Sequence, residues 1–136
     1  MISKTLLDTD ILSALFRQHP SVIKRAADYL AYHSHYSFSL ITCYEILRGL
    51  KAKNAVKQLA AFESFCQVSE ILPVTRSVID RASTIYAVLY QSGELIGDAD
   101  ILIAATALDS GLVISTNNEN HFSRISGRTI DNWLQP

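Results

Sequence analysis

Hydrophobic and polar positions along this 136-residue chain follow two different periods. Compact apolar runs rich in β-branched and aromatic residues occupy residues 4–9 (KTLLDT), 35–42 (HYSFSLIT), 66–74 (CQVSEILPV) and 111–116 (GLVIST). They predict four strands, the second ending near Leu40 and the third stopped by Pro73, with residues 129–133 (TIDNW) as a short fifth. Between these runs apolar residues recur three and four apart, which predicts helices over 11–16, 21–32, 42–50, 54–65 and 76–91, the last with Gly93 just past its end. Thr42 and Glu45 have the S/T-x-x-E spacing of a capping box and set the expected start of the third helix.

The most informative segment is the helix predicted from Gly97 to Leu108 (GDADILIAATAL). Its apolar residues Ile101, Leu102, Ile103, Ala104, Ala105, Ala107 and Leu108 cover every side, so it is expected to be packed all round. Two acids stand at its mouth, Asp98 and Asp100. Two residues correspond to about 200° of helix rotation, so they cannot face the same way. Asp98 is therefore assigned as the cap, and Asp100, on the stripe of Ile103, Ala104 and Ala107, as the acid aimed at the interior.

Alternating strands and helices imply a parallel sheet with right-handed crossovers and helices on both faces. Ligands of such sheets bind outside the carboxyl ends of the strands. Asp8 ends the first predicted strand, Glu45 follows the second, Asp98 and Asp100 open the helix before the fourth, and Thr116 to Asn118 follow the fourth. All of them fall on that edge. Structural readings coexist with the functional one: Asp8 as a turn residue, Asp10 as a helix cap, Glu45 as half of the capping box, Asn118 as a loop residue.

Composition narrows the picture. The length suits one domain over 1–136, and 49% hydrophobic content with five Gly and three Pro excludes a disordered chain. No apolar run approaches the roughly 20 residues of a membrane span, and acids at Asp8 and Asp10 interrupt any leader-like start, so a cytoplasmic protein without a membrane segment is expected. Cys43 and Cys66 lack zinc-site spacing and read as buried thiols. A net charge of −1 provides no global attraction to nucleic acid.

Carboxylates gathered at one edge repel each other unless a cation sits among them. Oxygen donors without an obvious His or Cys partner select Mg²⁺ or Mn²⁺ over zinc, and the expected chemistry is metal-assisted hydrolysis of a phosphate ester. The four histidines, His19, His33, His35 and His121, form no pattern that assigns them a role.

LLDTDIL (6–12), TCYEILRGL (42–50), GDADILIAATAL (97–108) and STNNENHF (115–122) occur in the order and approximate spacing of the PIN domain, and the chain resembles a VapC-type toxin ribonuclease over nearly its whole length. The most specific portions are D-x-x-IAA-x-A, from Asp100 to Ala107, and T-x-N-x-x-x-F at Thr116, Asn118 and Phe122. The resemblance implies a three-layer α/β/α fold with a central parallel sheet of four to five strands, Mg²⁺-dependent RNA cleavage, frequent homodimers, and inhibition by a cognate VapB-type antitoxin. By position it carries the acidic triad onto Asp8, Glu45 and Asp100, with Asp8 and Asp100 as the direct metal ligands and Thr116 as an orienting hydroxyl. Asn118 stands where many relatives have a fourth acid, which leaves Asp98 or Glu119 to compensate at a second metal position. Arg48, Lys51, Lys53 and Lys57 supply a basic run that either contacts an RNA backbone or is simply a solvated helix face. Ile85, Tyr86, Leu89 and Tyr90 share one helix face, to be covered by core or by a second protomer. Two other readings remain open: a degenerate PIN module that binds RNA or a partner without cleavage, and a haloacid-dehalogenase-like phosphatase suggested by the D-x-D of Asp8, Thr9 and Asp10.

Overall fold

The computed structural model describes residues 2–136. In chain order the elements are β1 (Thr5–Leu7), α1 (Thr9–Phe16), α2 (Pro20–Tyr32), β2 (Ser37–Ser39), α3 (Leu40–Ala52), α4 (Val56–Gln67), β3 (Glu70–Leu72), α5 (Arg76–Ser92), α6 (Asp98–Asp109), β4 (Val113–Ser115), α7 (Glu119–Phe122) and β5 (Ile130–Asp131). The five strands form one sheet in the order β3-β2-β1-β4-β5, and every pairing is parallel. The α/β/α architecture expected from the alternation is therefore present, with the short fifth strand at one edge.

The pleat of β1 divides the core. Leu6 packs with Ile114 and residues of α5, α6 and α7, while Leu7 faces the other way with Phe38, Trp133 and residues of α1, α2 and α4. Register enforces this division, because Leu6 pairs with Ile114 and Ser37 while Leu7 pairs with Ser115. Aromatic rings fill the second face: Phe38 stacks on Phe65 at 5.9 Å, and Tyr29 lies 5.3 Å from Trp133. On the first face α6 is packed against α5, α3, α7 and β4, and Ile103, Ala104, Ala105 and Ala107 are wholly buried. This matches the all-round apolar pattern of its sequence.

Local chemistry moves several boundaries. Strands are shorter than the apolar runs, because adjoining turns of helix begin or end inside those runs. The capping box at Thr42 and Glu45 does not form. Ser39 is the N-cap instead, its Oγ accepting from the Thr42 amide at 3.1 Å, so α3 starts at Leu40 and Glu45 lies in the second turn. Asp10 is likewise not a cap; Asp8 occupies that position and accepts from the Thr9 amide at 2.8 Å. Asp98 is not the cap of α6 either, since extended Gly97 takes that place without a side-chain bond and Asp98 is an exposed first-turn residue. There its charge suits the helix dipole without contacting the interior. Gly93 closes α5 with φ of +70°, a left-handed cap that glycine adopts without a Cβ penalty.

The chain travels from β1 to β2 and β3 on one side and then returns to β4 on the other, so the order reverses between β1 and β4. The C-terminal ends of these central strands deliver Asp8 and Thr116 to the switch point, the place where such sheets bind ligands. Ser39→Ala is expected to reduce stability by about 1 kcal/mol through loss of the α3 cap. A urea unfolding curve measures this, and an unchanged midpoint would contradict the assignment of Ser39 as the cap.

Candidate active site

Asp8 is the centre of the site. It follows a strand buried on both faces and is only 5% exposed. Its Oδ1 accepts from the Thr9 amide at 2.8 Å, and its Oδ2 accepts from the Thr116 hydroxyl at 2.7 Å. Thr116 Oγ1 in turn accepts from the Asn118 amide at 2.9 Å, which ties the loop after β4 to the end of β1. Burial pushes the Asp8 carboxyl up to about 7, and the neighbouring charge of Asp10 adds to that effect, with a smaller contribution from Asp100. The bonds from Thr116 and Thr9 oppose the rise without cancelling it.

Asp10, one turn position further along α1, reaches the same loop, its Oδ2 accepting from the Asn117 amide at 3.0 Å. Burial raises this carboxyl too. Its other oxygen, Oδ1, is buried without a hydrogen-bond partner. Asp10 thus belongs to the site rather than to a helix cap, and the D-x-D spacing at residues 8 to 10 was the signal for it.

Asp100 comes from the opposite wall, in the first turn of α6, as expected from its place on the Ile103, Ala104 and Ala107 stripe. Its Oδ2 accepts from Asn118 Nδ2 at 3.2 Å and lies 2.8 Å from His121 Nδ1. His121, which no pattern in the sequence singled out, is therefore a member of the site. Asn118 is the N-cap residue of the four-residue α7 and His121 its third residue, so their i, i+3 spacing puts both side chains on one face. That short helix was not recognisable as an apolar periodicity.

Glu45 approaches from α3. The Thr9 hydroxyl donates to its Oε1 at 2.6 Å and lies 3.0 Å from the Thr42 hydroxyl, so Thr9 links the Asp8 end of α1 to Glu45. Thr9 had no assigned role in the sequence reading. Arg48 Nη2 stands 3.7 Å from Glu45 Oε2, one turn along α3, with its guanidinium over the Tyr44 ring at 5.2 Å. The rest of the basic run is not brought to the site. Lys51 lies six residues beyond Glu45, about 9 Å along the helix axis, and Lys53 and Lys57 lie further on, across the exposed end of α3 and into α4.

Glu119 and Asp98 do not join the acids. Glu119 Oε2 accepts from Asn132 Nδ2 at 3.1 Å, and Asp98 is exposed at the start of α6. The helix face of Ile85, Tyr86, Leu89 and Tyr90 splits in two: Ile85 and Leu89 pack on the core, while Tyr86 and Tyr90 are exposed and stack on each other at 6.1 Å. The thiol of Cys66 is pushed up to about 12, mainly by burial, and neither cysteine is disulfide-bonded. Such a thiol is inert.

Among the described residues no three His, Cys, Asp or Glu side chains surround a single point closely enough to make a ready metal cage. The donor set nevertheless fits a hydrated hard cation, which needs only one or two carboxylates and keeps several waters. The unpartnered Oδ1 of Asp10 and the buried Asp8 carboxylate, against which Asp10 and Asp100 place further negative charge, are the observations that a divalent ion would satisfy.

Known proteins resemble this chain over almost its whole length. Residues 5–128 match the PIN domain. Ribonuclease VapC1 of Methanocaldococcus jannaschii is 33% identical over 123 residues, covering 90% of this chain and 82% of that protein. The tRNA(fMet)-specific endonuclease VapC of Salmonella typhimurium is 30% identical over 131 residues, covering 96% and 98%. Among solved structures, DNA-bound VapBC from Salmonella typhimurium superposes with a TM-score of 0.84 at 29% identity, over 97% of this chain and 99% of that one. With an α/β/α sheet whose switch point gathers Asp8, Asp100 and Glu45, and with matches that span almost its entire length, this chain belongs to the PIN-domain family, in the group of the VapC proteins.

Proposed function

We propose that this protein is a divalent-metal-dependent endoribonuclease and the toxin of a toxin-antitoxin pair, held inactive by a VapB-type antitoxin. The observation that carries the reading is the convergence of Asp8, Asp10, Asp100 and Glu45 from three helices and the end of a buried strand upon one sheet edge. Likeness to proteins named Ribonuclease VapC1 and tRNA(fMet)-specific endonuclease VapC, and to a VapBC complex, supports it. A homodimer is part of the proposal.

Asp8 and Asp100 are the groups that would hold the ion, Mg²⁺ or Mn²⁺, and Asp10, beside Asp8, and Glu45, tied to α1 through Thr9, would bind its waters. Bound there, the ion would supply a nucleophilic hydroxide at neutral pH and offset negative charge on the phosphate oxygens. Thr116 and the Thr9 amide hold Asp8 by both oxygens, which limits its rotation. Thr9 holds Glu45 by Oε1 and leaves Oε2 toward Arg48. Arg48 is the one member of the basic run placed to meet a phosphate at the rim, and Lys51, Lys53 and Lys57 would act at most on a longer RNA.

This reading accounts for features that a phosphatase does not need. An aspartyl-phosphate enzyme would use Asp10 beside Asp8 as its acid, whereas Asp10 is turned to the Asn117 amide and Asp8 faces the further acid Asp100. A module that only binds would have no use for a costly buried carboxylate cluster.

With end-labelled single-stranded RNA and Mg²⁺, the wild-type protein is expected to cut, and EDTA to stop it. Asp8→Asn and Asp100→Asn should each lower the rate by roughly 10²-fold or more, at least the upper range seen for losing a metal's outer partners. Variants that cut at the wild-type rate would remove the basis of the proposal. Arg48→Ala should raise KM more than it lowers kcat, whereas Lys57→Ala should leave KM within about twofold; equal effects of the two would place phosphate contact elsewhere.

Stability gives an independent reading of the carboxylates. The Asp8 group has a higher pKa folded than unfolded, so its contribution favours folding at low pH and is lost as pH rises from the ordinary 3.8 through about 7. Metal-free protein should therefore lose on the order of 4 kcal/mol from this group between pH 4 and pH 8. Asp8→Asn should flatten that part of the profile, and millimolar Mg²⁺ at pH 8 should raise Tm in the wild type but less in the variant. Superimposable pH profiles of wild type and Asp8→Asn without metal would show that Asp8 is not the strained group.

A further inference from the structure

The two cysteines of the chain, Cys43 on α3 and Cys66 on α4, meet in the fold although they are far apart in sequence. α3 and α4 form a helical hairpin joined by Lys53, Asn54 and Ala55, its turn closed by the Ala55 amide donating to the Leu50 carbonyl at 3.0 Å. Cys43 lies ten residues before that connector and Cys66 eleven after it, so both stand at nearly the same depth, roughly 15 Å along their helix axes. They also share the inner side of the hairpin. Cys43, Ile46, Leu47 and Leu50 recur three and four apart on α3, as do Phe62, Phe65 and Cys66 on α4, and all pack into the aromatic core of the second face. The two thiols are in side-chain hydrogen-bond contact, and both residues remain partly open to solvent.

A lone core cysteine behaves as a small apolar group. A facing pair has a further option, because a disulfide needs only an S–S distance of about 2.0 Å and Cβ atoms about 3.5–4.5 Å apart. Thiols already in contact reach that geometry by small rotations of their side chains. The two sulfurs are not equivalent. Burial, followed by the neighbouring Cys43, pushes Cys66 up to about 12, so Cys66 keeps its proton and is excluded as the attacking thiolate. Cys43 is then the attacking sulfur and Cys66 the resolving one.

We propose that Cys43 and Cys66 are a redox pair, closed by hydrogen peroxide to an intramolecular disulfide and reopened by a dithiol reductant. The Cys43 sulfur, as thiolate, attacks one peroxide oxygen; the O–O bond breaks, hydroxide leaves, and Cys43 becomes a sulfenic acid. The Cys66 sulfur then attacks the sulfenic sulfur while its proton passes to the departing oxygen, so the S–O bond breaks and water leaves. Two thiols lose two electrons and two protons, and the peroxide is reduced to two waters. Closure bears on the candidate site, because Glu45 follows Cys43 by two residues on α3. The Thr9 hydroxyl holds Glu45 toward α1 at 2.6 Å, whereas the disulfide draws α3 toward α4. A displacement of about 1 Å at a reacting group lowers a rate by up to about 10²-fold. That slowing rests on the reading of Glu45 as part of a nuclease site; the disulfide itself does not.

Mass spectrometry after alkylation counts the free thiols. Reduced wild type is expected to take up two alkyl groups. After hydrogen peroxide it should take up none, weigh two hydrogens less, run as a single chain on a non-reducing gel, and recover both thiols with dithiothreitol. In Cys66→Ser the oxidation should stop at a sulfenic acid on Cys43, trapped by dimedone, whereas Cys43→Ser should keep a free Cys66 under the same exposure. Thermal unfolding checks that both variants fold. Cleavage of labelled RNA by the oxidised wild type should fall by up to about 10²-fold and recover on reduction, while Cys43→Ser keeps its rate through the same treatment. Two thiols that survive peroxide in the folded wild type, a linkage between chains, or a disulfide that forms only after unfolding would each overturn the inference. A disulfide with an unchanged cleavage rate would sustain the pair and overturn its coupling to Glu45. A protein that closes the disulfide yet cuts no RNA when reduced would sustain the pair and overturn the proposed function.

Discussion

A carboxylate buried at the end of the central strand is the constraint around which this structure is arranged. β1 has a strand on each side and helices on both faces, so the residue that leaves its C-terminal end emerges where water has little access. That residue is Asp8, and removing an ionised carboxylate from water costs several kcal/mol unless something compensates. The protein compensates only in part. The Thr9 amide and the Thr116 hydroxyl each donate to Asp8, yet Asp10 and Asp100 stand close enough to add repulsion. The unrelieved remainder is what keeps the Asp8 carboxyl well above its ordinary range.

The surrounding structure holds this strained arrangement together. The loop after β4 is bonded to Asp8 through Thr116 and to Asp10 through the Asn117 amide. The same loop is tied to the C-terminal segment, where Asn132 donates from Nδ2 to Asn117 and Glu119, and Ser115 Oγ accepts from the Trp133 amide at 3.1 Å. Trp133 is buried among the aromatic rings of the second face, so the core clamps the segment that positions the loop. On the other face α6 cannot shift without opening the cluster of Ile103, Ala104 and Ala107, and Asp100 is held accordingly.

Chemistry is divided between rigid and adaptable parts. Asp8 and Asp100 stand on elements whose apolar residues are wholly buried, the condition for holding reacting groups in one geometry. Glu45 and Arg48 lie on the partly exposed face of α3, where their longer side chains are less confined. The VapBC structure of Salmonella typhimurium shares the fold that carries these elements. At α7, Asn118 and His121 stand together beside Asp100.

Period and order of apolar residues were enough to read the parallel strands, the helices between them other than α7, the largely buried α6 and the sheet edge to which Asp8, Glu45, Asp100 and Thr116 belong. Those features follow from burial alone, which every local stretch of sequence expresses. Boundaries and polar partners were not legible in the same way. Ser39 rather than Thr42 caps α3, Asp8 rather than Asp10 caps α1, and Gly97 rather than Asp98 precedes α6, because several adjacent residues had suitable side chains and only the path of the backbone selected among them. Thr9 beside Glu45 and His121 beside Asp100 are separated from their partners by 36 and 21 residues, so neither contact leaves a mark on local sequence. The sequence by itself determined the main buried stripes and the sheet edge that Asp8, Glu45 and Asp100 share, whereas the tertiary structure brought in Asp10, left Asp98 at the surface, and decided which hydrogen bonds those acids receive and which are left unsatisfied. Burial is a property of each residue and its near neighbours; the satisfaction of a buried charge depends on donors that only the folded chain brings within reach.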